Sequence, residues 1–364
     1  MKVNVITCQN ALNHGARLQV FALSYYLKSK GVEVEVIDYR PDYMRFKEKL
    51  LYWPGRSLKS WIKLFLYFNR RKRNILRNNI FLAFSKRYIP LTKDIYNDIN
   101  QLRENPPSAN TFIAGSDQIW NITFNNGHDP AYYLDFGSLE TNRISYAASF
   151  SLSPKEYHAT TFVKDQLRKF NSISVRETSG ISILKSLGYV GVKVVDPVLL
   201  LSAQDWMNSL ELEELKENKP YILVYDIMGC KRIKKIAQKL SQLFTWPIYS
   251  VSPTSLRYVD KSFELASPRQ FVQLINNSSF VISNSFHGTV FSLIFNKNFF
   301  FINRDDGLNE RIHDLLDNLG LTDRIIDDCV QDEVLKHAIV YDPVNTILQK
   351  EIAISKRFLE NSIL

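Results

Sequence analysis

A histidine in a polar loop is the foremost candidate for chemistry in this sequence of 364 residues. His287 lies in SNSFHG, between the apolar run SFVIS and a helical segment, and imidazole is the commonest general acid or base in enzymes. We predict that the helix begins near Gly288, which places Ser285 and His287 beside N–H groups at a positive helix end. A single histidine is also often structural, so both interpretations stay open here.

Other polar residues follow other predicted strands. Ser116, Asp117 and Gln118 come after the strand in TFIAGSDQIW, and their types suit hydrogen bonds to sugar hydroxyls. Arg176 ends the strand in SISVRE, and an arginine in a cleft can bind phosphate or carboxylate through two hydrogen bonds. A structural interpretation is also open. A capped glycine turn would explain Ser116, Asp117 and Gln118, and an ion pair with Glu177 would explain Arg176.

Two further side chains also allow both a functional and a structural interpretation. Arg311, in NERIHDLL, either reaches an anionic ligand or lies on a helix surface. His14 belongs to the loop after the first strand, together with Asn10 and Asn13. A turn that caps the following helix explains these three residue types, so His14 is a lesser candidate for catalysis than His287.

The elements that position these residues form two α/β runs. A strand at 2–8, a loop, a helix that stops at Gly31 and a strand at 32–39 open a βαβ unit, whose ligand site lies at the carboxyl edge of the sheet. The run VKVVDPVLLL at 192–201 is predicted as the last strand of the first run. We expect two domains, 1–205 and 206–342. A C-terminal helix over 343–364 should pack back on them.

Positive charge is concentrated in one segment. The chain carries a net charge of +9, yet residues 41–90 alone hold thirteen Lys or Arg against two acids. This segment is also rich in aromatic residues, and we predict a helical pair inserted in the first domain at about 42–90. Either its bases are solvated, or residues 50–75 lie on an anionic membrane surface. No nucleic-acid partner is expected, because such a function would leave the polar cleft unexplained.

Several common signatures do not occur. GxGxxG, GxxxxGK[ST], GxSxG and HExxH are all missing, which removes the usual support for NAD, P-loop, hydrolase and zinc-peptidase functions. Cys8, Cys230 and Cys329 are far apart and form no CxxC, so we predict reduced, buried thiols and no metal site. Without a long apolar stretch or a signal-like start, a cytoplasmic protein is expected.

The ordered set of segments resembles the polysaccharide pyruvyl transferase family. The resembling segments are NALNHGARLQVFALSYYLKSKGVEVEVIDY, FIAGSDQIWN, SYAASF, SVRETSG, VVDPVLLL, FVISNSFHGTVFSLIFNKNFFFIN and NERIHDLLDNLGL. This resemblance implies two Rossmann-like domains facing a cleft, as in the GT-B architecture. It also implies transfer of pyruvate from phosphoenolpyruvate to a sugar of a cell-surface glycan or its lipid-linked precursor. The product is a ketal, and no cofactor is required.

The resemblance also implies roles for residues. The catalytic residues are His287, as acid or phosphate partner, and Arg176. The donor-binding residues on the second domain are Asn284, Ser285, Gly288 and Arg311. The acceptor-binding residues on the first domain are Asn10, Asn13, Gln19, Ser116, Asp117 and Gln118.

One position differs from the pattern of characterised members. They often carry a basic residue two positions before the histidine, where this chain has Ser285, so Arg176, Arg304 or Arg311 would supply the charge. The alternative on the same architecture is a GT-B glycosyltransferase that uses a sugar nucleotide, with Asp305 or Asp306 on the ribose.

Overall fold

The computed structural model describes residues 1–44, 58–157, 161–213, 219–307, 309–326 and 331–363, except the side chains of 58–67, 69 and 70. Two parallel sheets organise the chain. The first sheet and a short strand pair beside it contain β1 (Lys2–Ile6), β2 (Glu33–Tyr39), β3 (Leu91–Tyr96), β4 (Thr111–Ala114), β5 (Asn142–Ser145), β6 (Ser174–Val175) and β7 (Val192–Lys193). The second sheet contains β8 (Ile222–Tyr225), β9 (Ile248–Ser250), β10 (Lys261–Ser262), β11 (Phe280–Ser283), β12 (Asn298–Ile302) and β13 (Ile325–Ile326).

Helices connect the strands. They are α1 (His14–Ser29), α2 (Leu58–Tyr88), α3 (Ile99–Glu104), α4 (Thr161–Leu167), α5 (Thr178–Ser186), α6 (Ala203–Ser209), α7 (Lys231–Phe244), α8 (Pro268–Asn277), α9 (Phe286–Ile294), α10 (Glu310–Asn318), α11 (Asp332–Lys336) and α12 (Tyr341–Ile363). Short 3₁₀ turns lie at Asn125–His128, Pro130–Tyr133, Pro197–Leu200 and Thr322–Arg324.

Both sheets have the order of doubly wound folds. The strands run β3-β2-β1-β4-β5 in the first sheet and β10-β9-β8-β11-β12-β13 in the second, and each observed pair is parallel. Central strands such as ILVY in β8 and FVIS in β11 are buried along their whole length, because helices cover both faces of such a sheet. The predicted α/β fold with two Rossmann-like domains is confirmed. The division at residue 205 stays a prediction.

The domains share a core. One apolar cluster extends from the first sheet through α1 and the Pro197–Leu200 turn to α8 and α9 of the second domain. The C-terminal helix α12 returns to the first domain, where Leu348, Ile352 and Leu359 are buried. Its backbone carbonyl at Ser362 accepts a hydrogen bond of 2.7 Å from the Asn142 side chain. This helix therefore joins the end of the chain to the edge of the first sheet.

The strand predicted over 192–201 is wrong beyond its first two residues. Only Val192–Lys193 forms a strand, and Pro197–Leu200 is a 3₁₀ turn. Pro197 has no N–H to donate to a neighbouring strand, and the Asp196 carboxylate accepts the Val198 N–H at 3.1 Å, which starts the turn.

In the described part of the segment over 42–90 lies the long helix α2, and β3, which the sequence analysis did not predict, follows it at Leu91. Residues 45–57 lie outside the described residues, as do the side chains of Trp61, Phe65, Tyr67 and Arg70. The prediction of a helical pair and of membrane contact through 50–75 falls largely on them. Across the described ranges, no helix is long and apolar enough to span a membrane.

The cysteine prediction is partly wrong. Cys8 is buried, but Cys230 is only half-buried, because it precedes α7 at the end of an open turn. Cys329 lies outside the described residues. Within the described part of the chain, no three side chains of His, Cys, Asp or Glu are grouped so that they could hold a metal ion.

Candidate active site

The loops after neighbouring strands of the two sheets meet at the boundary between the domains. The strand order reverses between β1 and β4 in the first sheet and between β8 and β11 in the second. Such reversals open a crevice at the carboxyl ends of the strands, where open α/β sheets bind ligands. Asp117 follows β4 and lies 3.7 Å from Arg311 of the second domain. The structure therefore brings predicted site residues of both domains together.

His287 is buried in the first turn of α9. Its Nε2 lies 3.7 Å from Oδ2 of Asp196, and it has no hydrogen-bond partner among the described residues. The ring packs against Gly15 of the first domain, where a Cβ added to the glycine would lie 1.9 Å from Nδ1 of His287. A buried nitrogen without a partner is costly. Nε2 is therefore a position at which a substrate atom or water could bind.

Asp196 lies between the histidine and an arginine. Its Oδ2 accepts hydrogen bonds from the Ser116 hydroxyl at 3.2 Å and from Arg176 Nη1. Burial alone would raise the pKa of this carboxyl. The positive charge of Arg176 and the contact with His287 outweigh burial and hold the pKa well below its usual range. Asp196 is therefore an anion at neutral pH.

Two buried arginines face the same aromatic ring. The guanidinium carbons of Arg176 and Arg311 lie 4.8 Å and 5.4 Å from the centre of the Phe286 ring. Both approach Oδ1 of Asp117, at 3.6 Å and 3.7 Å. Burial and the charge of Arg176 lower the pKa of Arg311 to about 10. Two such close cations favour the binding of an additional anion.

Several N–H groups of this pair are available. Nε and Nη2 of Arg176 and Nε of Arg311 are buried and have no hydrogen-bond partner within the described part of the chain. A guanidinium presents its donors in a fixed fork that matches the oxygens of carboxylate and phosphate. The pair can therefore bind an anion that enters between the domains.

Asp117 holds an unusual backbone conformation. Its φ of 80° lies in the left-handed region, which disfavours residues with a Cβ. Its carbonyl accepts hydrogen bonds from the backbone N–H groups of Ile119 and Ser149, which fixes the turn after β4. This conformation directs the carboxylate toward the two arginines, and Gln118 donates its own N–H to that carboxylate at 2.9 Å. Backbone strain of this kind is concentrated at functional sites.

Glu177 carries a second buried carboxyl. In the sequence analysis it appeared only as a partner of Arg176. One oxygen accepts the Ser149 hydroxyl at 2.8 Å and the Ser151 N–H at 3.0 Å. The other is buried and has no hydrogen-bond partner among the described residues. Burial raises the pKa of this carboxyl, although Arg176 opposes the shift. Glu177 therefore holds its proton to a higher pH than an exposed glutamate does.

The loop before α9 is held by its own side chains. Asn284 accepts the Ile227 N–H at 2.9 Å and donates to Asp226 at 2.8 Å. Gly288 packs so closely on Ser283 that a Cβ would lie 2.5 Å from its hydroxyl. The contacts of Asn284 and Gly288 therefore shape the loop that presents His287. The helix begins at Phe286, two residues before the predicted start, with Ser285 as its N-cap.

The residues predicted for acceptor binding do not lie in one place. Ser116 and Asp117 belong to the arginine cluster described above. The Asn13 side chain accepts the Gly15 N–H at 2.8 Å and caps α1. Gln19 does not reach the cleft, because its side chain is fully buried and donates to the Thr7 hydroxyl at 3.0 Å.

Asn10 lies on a separate, large cleft of the first domain, of about 760 Å³. Its side chain donates to the Tyr39 carbonyl at 2.7 Å. Gln118 is half-buried and accepts a hydrogen bond from Asn121 at 3.2 Å. The predicted acceptor residues are thus divided between the arginine cluster, the interior of the first domain and this second cleft.

Two other residues that the sequence offered as candidates, His14 and Arg304, have partners within the protein. His14 stacks on Phe271 at 4.7 Å, and its Nε2 lies 3.0 Å from the Ala266 carbonyl. Burial lowers its pKa to about 3, so the ring is neutral and packs between the domains. Arg304 pairs with Asp306, whereas Arg176 and Arg311 lie against the ring of Phe286, the residue before His287.

The sequence analysis missed three contributors to the site. Asp196 was assigned to a strand, although a single acid inside the apolar run VVDPVLLL was a usable signal. Phe286 and Gly15 gave no such signal. Their contributions depend on contacts between residues that are distant in the sequence.

Groups of the second domain that could bind a sugar nucleotide already have partners within the chain. At the turn from β8 to α7, the Asp226 carboxylate accepts the N–H groups of Met228, Gly229 and Cys230. Those N–H groups would otherwise suit a phosphate. Asp305 pairs with Arg232, so neither it nor Asp306 presents an uncompensated carboxylate to a ribose.

The fold and site define a class: a GT-B-like α/β protein with a buried cationic cluster between its domains. The Methanocaldococcus jannaschii UDP-GlcNAc 2-epimerase in complex with UDP-GlcNAc and UDP has this fold, with a TM-score of 0.53, 12% identity, and coverage of 99% of this chain and 100% of that one. A second structure of the M. jannaschii enzyme gives a TM-score of 0.51 at 11% identity, over 98% and 100% of the chains. The Streptomyces nogalater glycosyltransferase SnogD gives 0.45 at 12% identity, over 100% and 99%.

Sequence comparison identifies the family. The model of the polysaccharide pyruvyl transferases matches residues 13–306, and the chain belongs to this family. The match includes Gly15, Asp117, Arg176, Asp196 and His287. A search of curated protein sequences gives no match.

Proposed function

We propose that this protein transfers pyruvate from phosphoenolpyruvate to a sugar of a cell-surface glycan or its lipid-linked precursor, forming a ketal. The observation that carries the proposal is the pair of buried guanidiniums, Arg176 and Arg311, on the Phe286 ring near His287. Phosphoenolpyruvate has two anionic groups, a carboxylate and a phosphate, and the pair has unpartnered donors. Membership of the family supports the reaction class.

The reaction needs proton transfers and no change of oxidation state. A proton adds to the methylene carbon of phosphoenolpyruvate, and an oxygen of the sugar attacks the neighbouring carbon as its hydroxyl proton leaves. The bond from this carbon to the phosphate oxygen then breaks, and phosphate departs. A second sugar hydroxyl adds to the same carbon and loses its proton, which closes the ketal.

The residues of the site supply these needs. We assign His287 as the proton donor, because its Nε2 is unpartnered among the described residues and lies 3.7 Å from the carboxylate of Asp196, which Arg176 holds ionised. Arg176 and Arg311 bind the anionic groups of the donor and stabilise the charge of the departing phosphate. No metal or cofactor takes part in the proposal.

The cavity beside the two arginines is small. The cavity lined by Arg176, Asp196, Phe286 and Arg311 measures about 30 Å³, which is room for only a few water molecules. Phosphoenolpyruvate is several times larger. We therefore infer that the domains separate for the donor to enter and close around it, as in other two-domain proteins.

Thermal unfolding tests the choice of donor. Wild type should be stabilised by phosphoenolpyruvate and not by sugar nucleotides, and the His287→Ala variant should be stabilised less. A ligand at 100 times its dissociation constant contributes about 2.7 kcal/mol, which is readily measured. Stabilisation by a sugar nucleotide alone would overturn the proposal in favour of a glycosyltransferase.

A membrane contact is part of the same proposal. A lipid-linked acceptor would bring the protein to the inner face of the cytoplasmic membrane, where the basic segment over 50–75 could dock. Arg71, Lys72 and Arg73 of α2 are the described bases of this segment. Deletion of 50–75 should reduce binding to anionic vesicles and leave phosphoenolpyruvate binding intact. Unchanged vesicle binding would contradict this part of the proposal.

A further inference from the structure

A groove lies between the two domains, next to the cavity beside the arginine pair. It measures about 470 Å³, within the range of sites that hold small-molecule ligands. We call it the interdomain groove. The first domain contributes hydroxyl side chains to its lining, and the second domain contributes carboxylates. The residues that carry these groups are Thr178, Ser179, Ser182, Glu310, Asp314 and Asp317.

The charge of the groove is negative. Glu310, Asp314 and Asp317 recur at positions i, i+4 and i+7 of α10 and therefore share one face of that helix. Of the three carboxylates, only Asp314 forms an ion pair within the described part of the chain, with Lys193 at 2.9 Å. The described lining residues include no lysine or arginine. Carboxylates accept hydrogen bonds from hydroxyls and repel anions. The groove therefore suits a ligand that is rich in hydroxyl groups and has no acid group.

One hydroxyl of the groove is buried and unused. Ser179, the second residue of α5, is only 6% exposed. Its Oγ has no hydrogen-bond partner among the described residues. A buried hydroxyl without a partner is costly, because it has lost its hydrogen bonds to water. The Oγ of Ser179 is therefore a position at which a hydroxyl of a ligand could bind.

Asp314 connects the groove to the site of chemistry. Its Oδ2 contacts the backbone N–H of Thr178 at 3.4 Å, and Lys193 donates to the Thr178 hydroxyl at 3.0 Å. Asp314 also lines the small cavity beside the arginine pair, together with Phe286. The centre of the Phe286 ring lies 5.2 Å from that of His287. A ligand in the groove is therefore next to the cavity in which the donor is proposed to bind.

We propose that the interdomain groove binds the acceptor sugar and selects a sugar without an acid group, so that neutral and amino sugars bind and uronic acids are rejected. The role of this sugar as acceptor rests on the proposed function. Glu310 and Asp317 accept hydrogen bonds from its hydroxyls, and the Oγ of Ser179 pairs with a further hydroxyl. The same carboxylates keep the anionic donor out of the groove and at the arginine pair.

Saturation-transfer NMR with methyl glycosides tests the groove, with and without phosphoenolpyruvate. The probes are two pairs whose members differ only in the acid group, methyl glucoside with methyl glucuronide and methyl galactoside with methyl galacturonide, and also methyl glucosaminide. We expect a probe without an acid group to bind, and its acidic counterpart to bind about tenfold more weakly or less. Failure of every neutral and amino probe, or equal binding of the acidic counterpart, would overturn the proposal.

Ser179→Ala tests the unused hydroxyl. Because its Oγ has no partner among the described residues, its removal should leave the thermal midpoint unchanged or raise it. Binding of the neutral glycoside should weaken about three- to tenfold, the effect of one lost hydrogen bond. Ser186→Ala is the matched control, because it removes an exposed hydroxyl from the last residue of the same helix. Equal effects of the two variants on binding would contradict the site.

Glu310→Gln tests the negative charge. The variant should narrow the difference in affinity between the members of a pair about threefold or more, because less charge opposes the acid group. Glu104→Gln makes the same change on an exposed residue at the end of α3 and should leave the difference as it is. A difference that Glu310→Gln does not change, or that both variants change equally, would contradict the selection by charge.

The groove and the proposed donor fail separately. If neutral glycosides bind with these effects and phosphoenolpyruvate does not stabilise the protein, the groove stands as a sugar site and the proposed donor is wrong. If phosphoenolpyruvate stabilises the protein and no glycoside binds, the donor stands and the groove is rejected.

Discussion

Gly15 of the first domain packs directly against the imidazole of His287 in the second domain. A Cβ at Gly15 would lie 1.9 Å from Nδ1 of the imidazole and 2.2 Å from its Cγ. Gly15 is the second residue of α1, a helix in which alanine would be favoured over glycine by about 1 kcal/mol. The glycine therefore makes room for the histidine, and the position of the His287 ring depends on a residue of the opposite domain.

Gly15→Ala should displace the His287 ring and lower turnover. We expect a loss on the order of 10²–10⁴-fold, comparable to loss of a general acid, because the ring can no longer occupy its present position. Gly31→Ala is the contrasting variant. Gly31 has a φ of 76° and no atom within 4 Å of an added Cβ, so alanine there should lower the thermal midpoint and leave turnover unchanged. Normal turnover in Gly15→Ala would refute the importance of this contact.

Arg311 should contribute to donor binding through its planar fork. Arg311→Gln should raise the KM for phosphoenolpyruvate about tenfold or more, since hydrogen bonds to charged groups contribute about 1.5–3 kcal/mol. Arg311→Lys should not restore the wild-type value, because lysine lacks the fork that faces Phe286. Arg304→Gln is the matched control, because Arg304 pairs with Asp306. Steady-state kinetics that show equal effects at 304 and 311 would contradict this role.

Asp196→Asn should destabilise the protein most at neutral pH. The folded-state pKa of Asp196 lies below that of the unfolded chain, so its stabilisation is complete above about pH 4 and is lost as the pH falls through the folded-state value. Loss of one partner of a buried ion pair costs about 3–5 kcal/mol. Urea unfolding of wild type and variant should show a difference that shrinks below about pH 4. A difference that does not depend on pH would argue against an ionised Asp196.

Glu177→Gln should have the opposite pH dependence. Burial raises the folded-state pKa of Glu177, so the stability linked to its proton is complete below about pH 4.3 and is lost as the pH rises through the folded-state value. Glutamine carries no charge at any pH and avoids this loss. The free energy of unfolding of the variant relative to wild type should therefore increase with pH above about 4.3. A relative stability that falls over this range would show that the buried carboxylate is stabilising.

The sequence predicts the fold well where apolar periodicity is strong. The βαβ opening, the buried strand before His287 and the C-terminal helix all follow from such patterns, and their main apolar residues are buried. The edge strand β3 was missed because three of its six residues are exposed and its composition is that of a loop. Local periodicity does not distinguish an edge strand from a polar connection.

The site could be predicted only in part, because local sequence patterns do not show which distant residues come into contact. His287, Arg176 and Asp117 lie near one another in the structure, as expected for polar residues at the strand ends of α/β sheets, and their roles stay predictions. Gln19 was predicted to bind the acceptor, and the structure places its side chain in the interior, where it donates to the Thr7 hydroxyl. Asp196 was missed, because its contacts with Arg176 and His287 join residues that are far apart in the chain. Such contacts depend on tertiary structure that no local pattern contains.

Phosphate release in deuterated water tests pyruvyl transfer most directly. The wild-type protein, phosphoenolpyruvate and a polyprenyl diphosphate-linked glycan are incubated together, and inorganic phosphate and the mass of the glycan are measured. We predict phosphate release that depends on the glycan, a ketal product whose methyl group carries one solvent deuterium, and a rate lowered about 10²–10⁴-fold in His287→Ala. Transfer of a sugar from a nucleotide to the glycan, with no phosphate released from phosphoenolpyruvate, would contradict the account.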